Sequence, residues 1–329
     1  MIHLKLILFG IVTVTVVCLP VIAEPIPVIL DSDLGTDVDD TWALAFLLRC
    51  PELDVKMIVG DHGNADHRAS LACKLLERAG RTDIPVGIGV RSENKPDRNL
   101  QRDWVGDYSH KSYPGTVHAD GVQAMIELIM KSPEPITVIC IGPLTNIGEA
   151  LKREPQITEN ARFIGMHGSV RRGYGGKDKI DPEWNVRCDV KACAAALSAG
   201  WDVTITPLDT CGTVILDGDR YKAVRESDDP IARLIMENYQ AWSKRVTWTK
   251  ASEYIGTKSS VLFDTVAIYL AFDQDFCKME ELGIRVDDKG FTRIDPSAKQ
   301  IRVATEWKDY DAFMDMMVKR LTNHGQVGE

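Results

Sequence analysis

The residues best suited to chemistry are aspartates crowded behind one short apolar segment. The run Asp31-Ser32-Asp33-Leu34-Gly35-Thr36-Asp37-Val38-Asp39-Asp40 follows Val28-Ile29-Leu30 directly. Carboxylates this close repel one another and resist ionising together. A divalent cation with oxygen ligands is the simplest source of the positive charge that would offset them. Capping of the following helix accounts for one or two of these aspartates and not for the whole set, so the run predicts a metal site.

Within this run, Asp33 and Asp40 are the strongest candidates for metal ligands. We expect Asp31 to support them by hydrogen bonding, and either Asp37 or Asp39 to be a third donor or a supporting group behind the ligands. Gly35 allows the tight turn that brings the backbone close to an ion. The spacing does not match an EF-hand loop, because the required glycine and the distant glutamate fall in the wrong places.

A second acidic point lies far along the chain, in Ser260-Val261-Leu262-Phe263-Asp264-Thr265-Val266-Ala267. Asp264 is the only charge in this apolar segment, which is typical of the start of a helix. A helix-capping aspartate is the ordinary interpretation of such a residue. The unmatched cation site elsewhere in the chain favours Asp264 as a further ligand.

Strand-like and helix-like segments alternate along the chain, which predicts an α/β fold. Apolar β-branched runs lie at 28–30, 55–59, 84–88, 136–141, 163–166 and 203–206, and helical patterns lie at 42–48, 65–79, 120–131, 144–153 and 190–199. The alternation predicts an open, mostly parallel, Rossmann-like sheet with helices on both faces. Ligands of such sheets bind outside the carboxyl ends of the strands, where the aspartates lie.

Three long polar or glycine-rich stretches predict functional loops, at 91–117, 168–184 and 243–260. Turns after other strands carry groups that could face the same site. They are Gly60-Asp61-His62-Gly63-Asn64, Gly142-Pro143-Leu144-Thr145-Asn146 and Pro182-Glu183-Trp184-Asn185. Each turn alone is weak evidence, since capped strand-to-helix turns are common.

The composition of the chain and its N-terminal segment limit the functions and locations that the protein can have. The chain has 329 residues, 44% of them hydrophobic, and a net charge of −9, which argues against a nucleic-acid surface. Residues 1–23 are expected to be a cleaved signal peptide, because the apolar run is short for a membrane anchor and ends in small residues. Residues 24–329 are expected to form one catalytic domain without a membrane segment, in a secreted or periplasmic protein.

The cysteines after the leader are odd in number and scattered among apolar neighbours. They are Cys50, Cys73, Cys140, Cys188, Cys193, Cys211 and Cys277. Their spacing favours buried thiols that behave as small hydrophobes. A disulfide within an exported protein remains an alternative, and the pattern does not indicate which pair would form it.

Taken together, these motifs resemble the inosine-uridine preferring nucleoside hydrolase family. The signature of that family is a strand followed by DxDxGxDD and an apolar helix, and the run 31–40 matches it with two extra residues before the final pair. Further matches follow in the family's order and cover nearly the whole chain after the leader. They are Gly63-Asn64, Gly142-Pro143-Leu144-Thr145-Asn146, Glu183-Trp184-Asn185 and Asp264-Thr265-Val266-Ala267.

The resemblance implies a nucleoside hydrolase fold and a calcium-dependent glycosidase. It implies a Ca²⁺ ion held by Asp33, Asp40, the main-chain carbonyl of Thr145 and Asp264. It also implies that Asp33 is the general base for an attacking water, and that a nucleoside is split into nucleobase and ribose. Sugar hydroxyls would be bound by Asn64, Glu183 and Asn185. Proteins of this kind are commonly homo-oligomers, which makes an oligomer an expectation here.

Three departures from the family pattern affect these expectations. Phe263 stands where members often carry a histidine that acts on the leaving base, and a phenyl ring can stack on a base but cannot protonate it. His118 is one candidate for leaving-group contact, and Trp242, Trp248 and Tyr254 are candidates for stacking. The asparagine that the resemblance leads us to expect in the glycine-rich loop, for binding the terminal hydroxyl of the sugar, is missing from 176–181. The two extra residues leave the roles of Asp37 and Asp39 open.

Two alternatives from other functional classes remain at this level. The DxD after the first strand also occurs in Mg²⁺-dependent phosphatases of the haloacid-dehalogenase type, although Gly35 stands where Thr or Val is usual there. A non-catalytic protein that binds nucleoside or sugar and retains calcium would also fit the loss of the histidine. The base preference and the sugar are not determined by the sequence.

Overall fold

The computed structural model describes residues 24–92 and 98–322. The expected signal peptide, residues 1–23, lies outside this part of the chain, so its cleavage and the export of the protein stay predictions. Among the described helices, none combines the length and apolar character that crossing a bilayer requires. The cysteines of the described residues are free thiols, and all of them except Cys188 are buried.

The strands of the described residues form one sheet. In chain order they are β1 (Ile26–Ser32), β2 (Leu53–Gly60), β3 (Val86–Ile88), β4 (Val117–His118), β5 (Ile136–Cys140), β6 (Ala161–Met166), β7 (Val203–Thr206), β8 (Cys277–Val286), β9 (Thr292–Ile294) and β10 (Gln300–Trp307). Their spatial order is β4-β3-β2-β1-β5-β6-β7-β10-β8-β9.

The α-helices lie between and after these strands. They are α1 (Asp39–Leu47), α2 (Ala65–Arg78), α3 (Arg102–Val105), α4 (Gly121–Lys131), α5 (Thr145–Arg153), α6 (Trp184–Cys188), α7 (Val190–Ser198), α8 (Gly218–Arg225), α9 (Pro230–Ser243), α10 (Ala251–Tyr254), α11 (Thr265–Leu270) and α12 (Tyr310–Thr322). Single 3₁₀ turns occur at His110–Ser112, Pro155–Glu159, Tyr174–Gly176 and Cys211–Thr213.

The predicted α/β class is confirmed. From β4 to β10 in the spatial order every neighbouring pair of strands is parallel, and the last two pairs at one edge, β10 with β8 and β8 with β9, are antiparallel. The chain order reverses at β1, which lies between β2 and β5. A reversal of this kind opens a crevice at the carboxyl ends of the strands. The acidic run begins there, at the end of β1.

Alternate residues of β1 bury against two different hydrophobic clusters, one on each face of the sheet. Val28 and Leu30 pack with α1, α2, α9 and α12, whereas Ile29 packs with α4, α5 and α7. Both faces of a parallel strand are covered by helices in such folds, which explains why β1 is apolar at successive positions. Helices therefore lie on both faces of the sheet, as expected.

The largest differences from the sequence expectations lie at element ends and near the C-terminus. Helix α1 begins at Asp39 and not at Trp42, so Asp39 and Asp40 lie on its first turn. The three predicted loops contain short helices, α3 and α10 among them. Strands β8 to β10 did not stand out in the sequence, because antiparallel strands near the edge of the sheet, such as Cys277–Val286, leave many positions open to solvent.

The close approach of β3 to α4 gives a test of the packing that holds this edge of the sheet. A Cβ added at Gly87 would lie 2.7 Å from the Cα of Gly121. Gly87→Ala is therefore expected to lower the free energy of unfolding by about 1–3 kcal/mol, since two backbones must move apart. Chemical denaturation measures this. The matched control is Gly256→Ala, where an added Cβ meets no atom within 4 Å. Equal effects of the two substitutions would contradict the packing described here.

Candidate active site

The acidic loop after β1 folds back so that both of its ends face the same space. Ser32 Oγ donates a hydrogen bond to Asp40 Oδ1 at 2.5 Å and accepts one from the Leu34 N–H at 3.2 Å. Gly35 has a φ of +100°, a backbone conformation that residues with a Cβ rarely adopt. The loop is therefore folded so that Asp33 and Asp40 line the same cavity.

A buried arginine from α2 holds this loop. Arg68 is only 1% exposed, and its guanidinium donates to the Leu34 carbonyl at 2.8 Å, to Thr36 Oγ1 at 2.8 Å and to the His62 carbonyl at 3.2 Å. Its charge lowers the pKa of Asp40, against the larger effect of burial. The sequence analysis missed Arg68, because nothing in the pattern of an amphipathic helix indicates which cation points inward.

Three carboxylates from two distant segments meet at the crevice. Oxygens of Asp39, Asp40 and Asp264 all lie within 4.8 Å of one another, and all three side chains are buried. Asp39 and Asp40 come from the first turn of α1, and Asp264 precedes α11 without capping it through its side chain. Asp33 Oδ2 is buried at the same site and has no hydrogen-bond partner among the described residues.

The electrostatics of this cluster strongly disfavour ionisation of all its members. Burial is the largest cause that raises the pKa values of Asp39, Asp40 and Asp264 well above the usual range, and the neighbouring carboxylates add to it. Burial likewise raises the pKa of Asp37 to about 7. These carboxylates are hard oxygen donors that resist ionising together when no cation is present. They fit a divalent cation, because its positive charge would offset the repulsion between them.

Asp31 lies behind this cluster and not in the cavity. Asn146 Nδ2 donates to Asp31 Oδ2 at 2.8 Å, and Asn146 Oδ1 accepts from the Val90 N–H at 2.8 Å. Asn146 thereby joins β1 to the chain that follows β3. Burial raises the pKa of Asp31 to about 7, and it also raises the pKa of buried Asp61 well above its usual range. Neither Asn146 nor Asp61 was assigned this role from the sequence.

The cluster forms one wall of a cavity of about 370 Å³. This is within the size range of small-molecule sites. Predicted site residues that line it are Asp33, Asp37, Asp39, Asp40, Glu183, Asn185, Trp242, Trp248, Tyr254, Phe263 and Asp264. The structure therefore gathers most of the sequence-predicted residues from four separate stretches of chain, 33–40, 183–185, 242–254 and 263–264.

Glu183 and Asn185 lie beside the acidic wall and are held by their neighbours. The Glu183 carboxylate accepts from the backbone N–H groups of Asn185, Val186 and Gly168 at 2.7, 3.2 and 3.1 Å. Burial still raises its pKa to about 7. Asn185 Nδ2 donates to the carbonyls of Ile141 and Met166. The Asn185 amide oxygen is therefore the polar atom of that side chain left for a ligand.

Besides Asp31, three predicted residues do not line the cavity. Asn64 caps α2, accepting a hydrogen bond from the His67 N–H at 3.2 Å. Thr145 begins α5, close to the turn at Gly142, where an added Cβ would lie 3.0 Å from Asp33 Oδ1. His118 lies on the edge strand β4 and lines a separate cavity with Lys56 and Glu127. The expected contact between His118 and the substrate is therefore wrong for this structure, because β3 and β2 separate β4 from β1.

An aromatic and cationic rim faces the aspartates, and much of it was missed by sequence reasoning. Tyr174 packs edge-on against Phe263 with centroids 6.1 Å apart, and its hydroxyl accepts from the Trp184 N–H at 2.9 Å. The Arg98 guanidinium lies between Trp184 and Trp248, 4.2 and 4.5 Å from their ring centroids. Phe263 and Trp248 were predicted from the sequence, whereas Tyr174, Arg98 and the side chain of Trp184 were not.

Comparison with known proteins identifies the relatives of this chain. The family model described as "Inosine-uridine preferring nucleoside hydrolase" matches residues 28–315. A probable uridine nucleosidase 2 of Arabidopsis thaliana is 25% identical over 86% of this chain and 89% of its own length. A pyrimidine-specific ribonucleoside hydrolase of Citrobacter koseri is 29% identical over 64% of this chain and 69% of its own.

Solved structures show the same fold. A plant nucleoside hydrolase superposes with a TM-score of 0.77 at 22% identity, over 91% of this chain and all of the other. A purine-preferring ribonucleoside hydrolase from Gardnerella vaginalis gives a TM-score of 0.74 at 21% identity, over 90% of this chain and 98% of the other.

Removal of the buried cation beneath the acidic loop tests its structural role. Arg68→Met is expected to lower the free energy of unfolding by about 3–5 kcal/mol, because buried acceptors lose their charged donor while the apolar stem is retained. Denaturant titration measures this, with Arg81→Met as the control. Arg81 pairs with Asp83 at the surface, and such pairs contribute about 0–1 kcal/mol. A cost at Arg68 no larger than that at Arg81 would refute the role.

The raised carboxyl pKa values predict the pH dependence of the metal-free protein. Asp31, Asp37 and Glu183 have folded-state pKa values of about 7, above their ordinary values of 3.8 to 4.5. Between those limits the folded state binds more protons than the unfolded state, so stability in chelator should fall as pH rises. The lowered pKa values of His62, His67 and His167 act in the opposite direction, but the raised carboxyls are more numerous.

A divalent cation bound by the cluster should reverse this trend, because carboxylate ligands bind such an ion only after losing their protons. The stabilisation by calcium relative to chelator is therefore expected to increase between about pH 5 and pH 7. Thermal or denaturant unfolding at several pH values measures the difference. A difference that does not change with pH would show that the cluster is not the site of binding.

Proposed function

Because this chain belongs to the inosine-uridine preferring nucleoside hydrolase family, we propose that it hydrolyses the N-glycosidic bond of a nucleoside with Ca²⁺ as its cofactor and Asp33 as general base. The observation that carries the proposal is the buried cluster of Asp39, Asp40 and Asp264 in the wall of the cavity, with Asp33 beside it. The family assignment favours neither the phosphatase nor the non-catalytic binding protein.

The ligands proposed for the ion are Asp33, Asp40, Asp264 and the Thr145 carbonyl, with Asp39 joining them through its place in the cluster. Calcium accepts six to eight oxygens in loose geometry, which leaves positions for sugar hydroxyls and water. When bound, the ion supplies the positive charge that acidifies and orients a water. The buried donors are all oxygens, and Asp33 Oδ2 lacks a hydrogen-bond partner among the described residues.

Asp33 is proposed to take the proton of the attacking water at its unpartnered Oδ2. The water oxygen bonds to the anomeric carbon while the bond from that carbon to the base nitrogen breaks, and its electron pair leaves with the base. The transition state resembles an oxocarbenium ion, whose positive charge the neighbouring carboxylates stabilise. Glu183 and Asn185, which line the cavity, are proposed to bind the sugar hydroxyls. Asn64 would join them by turning its side chain from the cap of α2.

The leaving base requires other groups. Phe263 lines the cavity, where its ring can stack on a base but cannot donate a proton. The hydroxyls of Tyr254 and Thr249 are hydrogen-bonded to each other at 2.7 Å, and both residues line the cavity. They are the donors that we propose for the base, with Trp248 and Trp242 as stacking surfaces.

We also propose that the protein is exported, on the basis of the leader-like residues 1–23.

The central test is base release from a panel of purine and pyrimidine nucleosides, measured with calcium and with chelator. The wild-type protein should release base only with calcium. Asp33→Asn preserves shape but removes the proton acceptor, and should lower kcat by about 10²- to 10⁴-fold. Asp219→Asn, at an exposed position in α8, is the matched control and should turn over normally.

Normal turnover by Asp33→Asn would overturn the assignment of the general base. Tight binding of nucleosides by the calcium-loaded wild type without release of any base would overturn the hydrolase proposal in favour of a binding protein. Calorimetry of the same preparation separates these outcomes, because it detects binding whether or not the bond is cleaved.

A further inference from the structure

The cavity carries a feature that hydrolysis of a neutral nucleoside does not use, namely two arginines stacked on the same tryptophan. Arg98 and Arg187 both line the cavity, 4.2 and 5.2 Å from the ring centroid of Trp184. Trp248 covers Arg98 at 4.5 Å, and Trp248 is itself 45% exposed. The pair therefore lies where the cavity meets solvent, and Arg187 is itself exposed.

Neither guanidinium has a hydrogen-bonding or ion-pairing partner in the part of the chain that the structure describes. Many other arginines of the chain are paired, for example Arg171 with Glu280 and Arg245 with Asp103. Stacking occupies only the flat face of a guanidinium, and its five N–H donors, which lie in the plane of the guanidinium group, stay available. These two side chains are therefore held in place with their donors unused.

The need to offset the negative charge of the carboxylates in the cavity wall does not explain the presence of both arginines. Arg98 does lower the pKa of Asp37. Arg187, in contrast, acts on Tyr174 and Cys188, whose pKa values it lowers against the effect of burial. A second unpaired cation at the mouth is better explained by a negative group of the ligand.

The position of Arg187 indicates which end of the ligand would carry that group. Arg187 lies on α6, one turn after Glu183, whose carbonyl accepts the Arg187 N–H at 2.9 Å. Glu183 and Asn185 are the residues proposed to bind the sugar. The neighbouring loop 168–184 lacks the asparagine that the family resemblance led us to expect for the terminal hydroxyl of the sugar. A larger, charged substituent at that hydroxyl would reach toward the arginines instead.

We propose that Arg98 and Arg187 form a phosphate subsite and that the preferred substrate is a nucleoside 5′-monophosphate. Arginine binds phosphate through paired N–H···O bonds, and its rigid fork suits this geometry. The reaction is unchanged at the anomeric carbon: water and the nucleotide give free base and ribose 5-phosphate, and no bond to phosphorus is broken. This inference rests on the hydrolase proposed above and specifies its substrate class.

The first experiment compares kcat/KM for uridine and inosine with those for their 5′-monophosphates in the calcium-loaded enzyme. Base and inorganic phosphate are measured together, so that prior dephosphorylation is detected. We expect the monophosphates to be preferred by about tenfold or more, the effect of one charged hydrogen bond. Arg187→Met and Arg98→Met retain an apolar stem and should each lower the ratio of monophosphate to nucleoside activity by about tenfold.

The matched control is Arg293→Met. Arg293 is also stacked on an aromatic ring, 4.6 Å from the centroid of Phe291, but it lies on β9 and does not line the cavity. This substitution should leave the ratio unchanged. Equal loss of the ratio in all three variants would show a general effect on the fold and would overturn the assignment.

A binding experiment keeps the subsite testable without turnover. Ribose and ribose 5-phosphate are titrated into the calcium-loaded protein and followed by calorimetry and by the fluorescence of the tryptophans. Ribose 5-phosphate should bind about tenfold more tightly or better, and Arg187→Met should remove that difference. Inorganic phosphate should compete with ribose 5-phosphate but not with ribose.

The outcomes separate this inference from the proposed function. Base release from nucleosides without preference for the monophosphates, and equal binding of the two sugars, would overturn the phosphate subsite and leave the hydrolase standing. Tight binding of ribose 5-phosphate without release of any base would support the subsite and overturn the hydrolase. Preference in both experiments, lost in both arginine variants, would establish the subsite.

Discussion

The mutual repulsion of carboxylates in a buried crevice is the constraint on which the rest of the site depends. Asp39, Asp40 and Asp264 bring oxygens within 4.8 Å of one another, and burial raises the pKa values of all three. Apolar packing alone would not hold such a group together. The fold holds these carboxylates together by fixing the backbone around them. A bound cation would replace their mutual repulsion with attraction to the ion.

The parallel sheet provides that fixed backbone. Strands β1, β2 and β5 end at the same level, where the Asp61 N–H donates to the Ser32 carbonyl and the Ile141 N–H to the Asp31 carbonyl. Arg68 ties the acidic loop to α2, and Asn146 ties β1 to the segment after β3. These buried polar bonds are specific in direction, so they fix the loop in one conformation where apolar contacts would allow several.

The cavity is electrically asymmetric. Its inner wall is made of carboxylates, and its mouth carries Arg98 and Arg187 held against Trp184. A ligand that is positively charged in its transition state at one end and negatively charged at the other would complement both. Stacking on indole rings holds the arginines at the mouth of the cavity. Without it, the arginines would pair with the aspartates, and the opposite charges would neutralise each other.

The sequence by itself determined the parts of this protein that depend on local pattern. Apolar β-branched runs alternating with amphipathic helices specified the parallel sheet, and the crowding of aspartates 31–40 after β1 marked the crevice because carboxyl ends of parallel strands meet there. The turn at Gly35 and the start of α11 at Asp264 could also be predicted, since each rests on the chemistry of neighbouring residues.

Only the tertiary structure decided which distant side chains meet. His118 lies at the carboxyl end of a strand as Asp31 does, yet that strand is the edge strand β4, because the order of strands in the sheet is set by packing and not by position in the chain. Arg68 and Asn146 look like ordinary polar residues of helices until the fold turns them inward. Arg98, Arg187 and Trp184 come together from separate loops, and no local pattern records such a contact, since its energy arises only after the chain has closed.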